Sequence, residues 1–168
     1  MYSVNGVKSF IGNEGYGFNA NLLRDGKKVA FLIDDANGGE INVQWLDWKA
    51  PKVEVKGINY TGKEYTHSGT PEQAKLAKFL MNLPKTKNPY DGKMEHVSRD
   101  VYLCELVDKF ESEKQFKRWC KTKVCFRVKG DKEGSWRTLK AKFHPLIAEK
   151  IREKFGDQLE EILNERFV

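Results

Sequence analysis

An Asp-Gly dipeptide between two runs of alternating apolar residues constrains this chain more than any other feature of its sequence. Residues 16–48 read YGFNANLLRDGKKVAFLIDDANGGEINVQWLDW. A two-residue hairpin turn needs φ > 0 at both central positions, and Asp25-Gly26 meets that need at low steric cost. Tyr16–Leu23 is therefore predicted to pair with Lys28–Ile33. A second turn over Asp34–Gly39 leads to Ile41–Trp48 and completes a three-stranded antiparallel meander. Period-2 alternation places Val29, Phe31 and Ile33 on one face, and Tyr16, Phe18, Ala20 and Leu22 together on the partner strand. Ile41, Val43 and Trp45 continue the alternation. Met1–Phe10 and Val53–Ile58 read as further short strands. Gly15-Tyr16-Gly17 has no Gly-Lys-Ser/Thr after it and reads as a turn or bulge, not a phosphate loop.

Helical code follows a polar, irregular stretch over Asn59–Gly69. Thr70 caps, Pro71 suits the first turn and Gln73 completes a capping box, with Pro84 as the stop. Lys85–Gly92 reads as an exposed loop or linker. A second helix is expected over Ser98–Phe110. A third is expected from the capping box Ser112-Glu113-Lys114-Gln115. Lys123–Lys129 and Ser135–Phe143 form a second hairpin. His144-Pro145 opens a helix carrying Ile147, Ile151 and Phe155, Gly156 ends it, and Asp157 caps a last short helix. The fold class is thus α+β: an N-terminal antiparallel β-meander packed with helices, and a C-terminal helix–β-hairpin–helix unit. A single domain of 168 residues is expected, with lobes at 1–66 (β-rich) and 70–168. Phe31, Trp45, Leu80, Val107, Phe126 and Ile151 are the predicted core.

Apolar residues make up 39% of the chain and charged residues 32%, enough for a core beneath a polar surface. The first residues hold no apolar run long enough for a signal peptide, and no stretch is long enough to span a membrane. Cys104, Cys120 and Cys125 have no framework spacing, so the reading is a cytoplasmic protein with free thiols.

Net charge is +6, and it is unevenly spread. Lys114–Lys142 carries 11 Lys/Arg against Asp131 and Glu133. Lys114, Lys117, Arg118 and Lys121 fall on one helix face. In the second hairpin, alternation puts Val124, Phe126 and Val128 with Leu139, Ala141 and Phe143. The opposite face then carries Lys123, Cys125, Arg127 and Lys129 with Trp136, Thr138, Lys140 and Lys142, while Arg137 is on the wrong side. Lysines and arginines would neutralise phosphates and Trp136 could stack on an unpaired base, which points to nucleic acid or a nucleoprotein as partner. An ordinary solvated basic face, on a protein-interaction accessory protein with no nucleic-acid role, fits the same pattern.

An enzymatic alternative rests on Asp34 or Asp35 with Glu54 and Lys56. This resembles the Asp…Glu-x-Lys set of PD-(D/E)xK nucleases, in which two carboxylates on adjacent strands hold Mg²⁺ and the lysine helps position water. The neighbouring Asn37-Gly38-Gly39 is equally ordinary turn composition. His67, His96 and His144 are far apart in sequence, Cys120, Cys125 and His144 make a poor zinc set, and no metal or cofactor is expected. The runs EGYGFNANLLRDGKKVAFLIDDANGG and KVCFRVKGDKEGSWRTLKAKF, with the closing helix, resemble small uncharacterised proteins carried by bacteriophages and mobile elements. The resemblance implies a context in which small proteins without catalytic motifs act by binding, including as inhibitors of host defence nucleases such as CRISPR effectors.

Overall fold

The computed structural model describes residues 1–59, 61–88 and 90–168; Tyr60 and Pro89, each within an expected loop, lie outside the described residues. The architecture is α+β, as the sequence implies, and the chain divides into two compact units, Met1–Phe110 and Glu111–Val168. The sequence reading places its lobe boundary between residues 66 and 70 instead.

The first unit is built on a four-stranded antiparallel meander of β1 (Tyr2–Gly12), β2 (Gly15–Arg24), β3 (Lys27–Asp34) and β4 (Asn42–Trp45). Asp25 and Gly26 take φ of 52° and 78°, the left-handed pair that the β2–β3 turn requires. Inward-facing side chains on β2 are Phe18, Ala20 and Leu22, as alternation indicates, but Tyr16 is 80% exposed. On β3 the buried face is Ala30 and Leu32, and Phe31, expected in the core, is only half-buried. The cause is a one-residue register shift. Leu23 pairs with Lys28, but Leu22 pairs with Ala30, leaving Val29 as the extra residue. Side chains alternate with period 2, so one inserted residue turns the rest of β3 over. Trp45 is likewise half-buried at the core's margin, because β4 ends there instead of running to Trp48.

Two segments expected to be irregular contribute strands. The expected strand β5 (Val53–Ile58) pairs with β6 (Glu64–Gly69) in a separate two-stranded sheet, and β7 (Thr86–Lys87), inside the expected linker, pairs with β8 (Met94–Glu95) just beyond it. The strand β6 is solvent-facing except at Gly69, so it lacks the apolar alternation that marks a strand. Helix α1 (Pro71–Met81) starts as its sequence dictates, the Thr70 hydroxyl accepting from the Gln73 amide at 3.2 Å. The Gln73 side chain does not close the capping box; it pairs with His67. Leu76 and Leu80 of α1 join the meander core, as do Leu103 and Val107 of α2 (Arg99–Cys120). That helix is continuous over 22 residues, in place of the two helices expected. Neither Pro nor Gly interrupts residues 99–120, so Ser112 serves as an interior residue.

In the second unit β9 (Val124–Val128) lies between β10 (Arg137–Leu139) and β11 (Leu159–Ile162), all antiparallel. The strand β11 replaces the predicted last helix. It begins after α3 (Pro145–Phe155), which is capped by His144 and ended by Gly156 at φ 47°. One face of the sheet, Val124, Phe126 and Val128, packs on Ala148 and Ile151 of α3 and on Ile162. Across the other face runs a closing 3-10 turn, Leu163–Phe167.

Candidate anion-binding surface

The expected cationic sheet face forms only in part: β10 is three residues long, so Lys123, Lys129, Trp136, Lys140 and Lys142 lie outside the paired strands. Within them Thr138 pairs with Cys125, which puts Cys125, Arg127 and Thr138 on the predicted side. Cys125 is fully buried there, and its amide donates to the Asn164 side chain at 2.8 Å. Asn164 in turn donates to the backbone carbonyls of Cys120 (3.2 Å) and Lys123 (2.8 Å). One amide side chain thus sews the end of α2, the start of β9 and the closing turn together.

Arg127 and Trp136 are engaged within the fold. Arg127 is half-buried, with Nε 2.6 Å from the Glu160 carboxylate and its guanidinium 5.4 Å above the Trp136 ring. The indole meets Phe116 edge-on at 5.6 Å. Trp136 is therefore a packing residue between a helix and an arginine, not an indole standing free for a base. Arg137 is held in a fork by Asp131, with Nη2–Oδ1 at 2.7 Å, and the pairing holds that carboxyl below its ordinary range. Arg152 pairs with Glu165 and Arg166 with Glu161.

What remains open is mostly lysine. Lys114, Lys117 and Arg118 are exposed on the last two turns of α2, and Lys121 just past its end at Cys120; Lys129, Lys140 and Lys142 are exposed beyond the ends of β9 and β10, and Lys123 is half-buried. Among the described residues none of these eight is in an ion pair. Lys132, which carries no signal in the strand alternation, is exposed in the β9–β10 connection. Beside the helix face is a cavity of about 560 Å³, lined by Lys117, Lys121, Arg166, Phe143, Cys120 and Asn164, among others. Burial, with the neighbouring Cys125 thiol adding to it, pushes the Cys120 thiol up to about 11. It stays protonated at neutral pH and is no nucleophile. Exposed ammonium groups like those of this surface can hold anions.

The nuclease set is not brought together. Asp34 and Asp35 accept from the amides of Ala36 (3.0 Å) and Asn37 (3.1 Å), ordinary turn-forming contacts. Glu54 and Lys56 pair with each other at 2.8 Å on β5, well exposed to solvent. That strand belongs to a different sheet from β3, so the two carboxylates are not on adjacent strands. Among the described residues no group of three or more His, Cys, Asp or Glu side chains could hold a metal ion. His144 caps α3, its Nδ1 accepting from the Leu146 amide, and His67 stacks on Tyr65. Among the described residues no helix is long and apolar enough to cross a membrane. No family model matches the chain, and neither does a curated protein or a solved structure.

Proposed function

We propose that this chain is a non-catalytic binding protein that sets the lysine surface of residues 111–168 against nucleic acid, free or within a nucleoprotein. In the phage or mobile-element context that its sequence resemblance implies, the role is inhibition of a host defence nuclease. One observation carries the reading. The unit's arginines, Arg118 apart, are engaged by its acidic residues, while Lys114, Lys117, Lys121, Lys129, Lys140 and Lys142 stand outside ion pairs among the described residues. Unpaired cations on a helix face and a hairpin neutralise phosphates and release counterions.

The test is a binding series over salt concentration with single- and double-stranded DNA and RNA, and with purified CRISPR effector complexes. Wild type is expected to lose affinity steeply as salt rises. Lys117→Gln with Lys121→Gln, and separately Lys140→Gln with Lys142→Gln, should each flatten the log–log slope by about one unit for every phosphate no longer neutralised. Folded variants with unchanged affinity and slope would reduce the patch to solvated surface. Binding to an effector protein in the absence of nucleic acid, abolished by the same changes, would make it a protein-interaction surface instead.

A further inference from the structure

The first unit carries a cavity of about 530 Å³ that plays no part in the lysine surface. Its size falls in the range of small-molecule sites, roughly 300–1,000 Å³. Val55 of β5 and Leu76, Ala77 and Leu80 of α1 supply an apolar floor, all buried. Aromatic rings come from two different sheets, Trp45 of β4 and Tyr65 of β6, both only partly covered. The Tyr65 ring is held flat. It stacks on His67 with centroids 5.7 Å apart and planes 21° from parallel. It also lies across Gly57, its cross-strand partner, where a Cβ would run into the ring.

Behind the ring stands a polar wall. His67 Nε2 and Gln73 Nε2 are 2.9 Å apart, which fixes one of the imidazole nitrogens and orients the amide. Gln73 itself is packed over Gly69, where a Cβ would collide with the amide and with Val55. Two glycines thus give up side chains at the positions where the ring and the amide are seated.

The charged end of the cavity limits the ligand. Arg99 Nε is 2.7 Å from Asp100 Oδ1, and its Nη2 reaches Glu40 Oε2 and the Ile41 carbonyl, each at 3.2 Å. One guanidinium faces two carboxylates, so this end has formal charge −1 and disfavours an anion. Glu40 is 87% exposed, which puts the mouth at this end.

We propose that this cavity is a binding site for an uncharged heteroaromatic molecule of nucleoside size. The ring system enters against Tyr65 and Trp45 over the aliphatic floor, and its hydrogen-bonding edge meets the Gln73 amide and His67. Aromatic faces reward any flat π-system, and the fixed amide selects one with donors and acceptors in the ring plane. The site is independent of the lysine surface and stands or falls separately.

The experiment is a titration of ¹⁵N-labelled full chain with adenosine, guanosine, cytidine and uridine, followed by amide chemical shifts. Saturable shifts are expected at Gly57, Gly69 and Ala77 for at least one nucleoside, with Kd below about 1 mM. Tyr65→Ala and Gln73→Ala should each raise that Kd at least fivefold, whereas Tyr65→Phe keeps the ring and the affinity. The 5′-monophosphate should bind more weakly than its nucleoside. Because Gln73→Ala leaves the backbone cap on Thr70 in place, it keeps the test valid if Tyr65→Ala fails to fold. Absence of saturable shifts with all four nucleosides overturns the proposal. So does binding that Gln73→Ala leaves unchanged, or a monophosphate that binds as tightly as the nucleoside.

Discussion

Replacing Asn164 tests whether one amide side chain holds the second unit closed. Asn164 is 2% exposed and makes three hydrogen bonds: it accepts from the Cys125 amide and donates to the carbonyls of Cys120 and Lys123. In Asn164→Ala the Cys125 amide is left without a partner in a place that water does not reach, which costs roughly 1–3 kcal/mol. The two carbonyls belong to half-buried residues and recover part of their loss from solvent. Adding about 1 kcal/mol for them gives a total near 3 kcal/mol. Asn164→Asp separates the terms. It keeps an acceptor for Cys125 but turns a second oxygen toward two carbonyls. Burial raises the pKa of the introduced carboxyl when folded, so the variant matches wild type best at low pH and loses stability as pH rises above about 4. The measurements are urea unfolding by tryptophan fluorescence and hydrogen exchange at the Cys125 amide. An Ala variant that loses under about 0.5 kcal/mol with that amide still protected would refute the reasoning.

The β3 register predicts that Leu32→Ala costs about 3 kcal/mol and Phe31→Ala distinctly less, the reverse of plain alternation; equal losses in thermal or chemical unfolding would contradict the shift. Glu72 is 13% exposed and forked by Arg24 (Nε–Oε2 2.9 Å, Nη2–Oε1 3.0 Å), which, against the opposing effect of burial and with help from Lys75, brings its carboxyl down from 4.5 to about 2. The stability this contributes is fully present above pH about 4.5 and is lost as pH falls through 2, so the gap between wild type and Glu72→Gln, on the order of 2 kcal/mol, should close over that window. Gly57→Ala places a methyl in the Tyr65 ring, and should both destabilise the β5–β6 sheet and shift the Tyr65 resonances. Gly26→Ala at φ 78° should cost about 1 kcal/mol by thermal unfolding.

Local chemistry was legible where one rule governed a segment. Asp25-Gly26 forced the hairpin, Thr70-Pro71 started α1, and His144 and Gly156 bounded α3. The misreadings arose where tertiary context outweighed a local pattern. A capping box at Ser112 had no break in front of it, so the helix ran through. Plain alternation on β3 takes no account of the extra residue Val29. The strand β6 and the short pair β7–β8 are held by backbone pairing and carry little apolar code. Leu159–Ile162, in an acidic tail, became a strand because β9 had a free edge. Asn164 gave no signal at all, since a lone Asn among Glu and Arg is ordinary surface composition. The cavity beneath Tyr65 could not be read in advance either, because its walls come from β4, β5, β6 and two helices that only the fold brings together.

The candidate surface shows why a count of basic residues misjudges a site. The block Lys114–Lys142 contains 11 cations, yet Arg127 and Arg137 within it are bound to Glu160 and Asp131. Glu160 comes from the acidic tail, so part of the tail's charge cancels cations read as available. The division follows side-chain chemistry. A planar guanidinium forms bidentate pairs and stacks on rings, as Arg127 does on Trp136 and Arg137 on Phe155. A lysine ammonium is a strongly hydrated point charge with little to gain from such fixed pairs, so it stays at the surface. What is left to meet an anionic partner is therefore exposed, hydrated charge on long stems. Such groups attract phosphates without fixing their orientation, which suits binding that depends on salt more than on sequence. On the proposed reading, selectivity for one nucleic acid over another rests on the spacing between the lysines at the end of α2 and those flanking β9 and β10, because Trp136 is packed against Phe116.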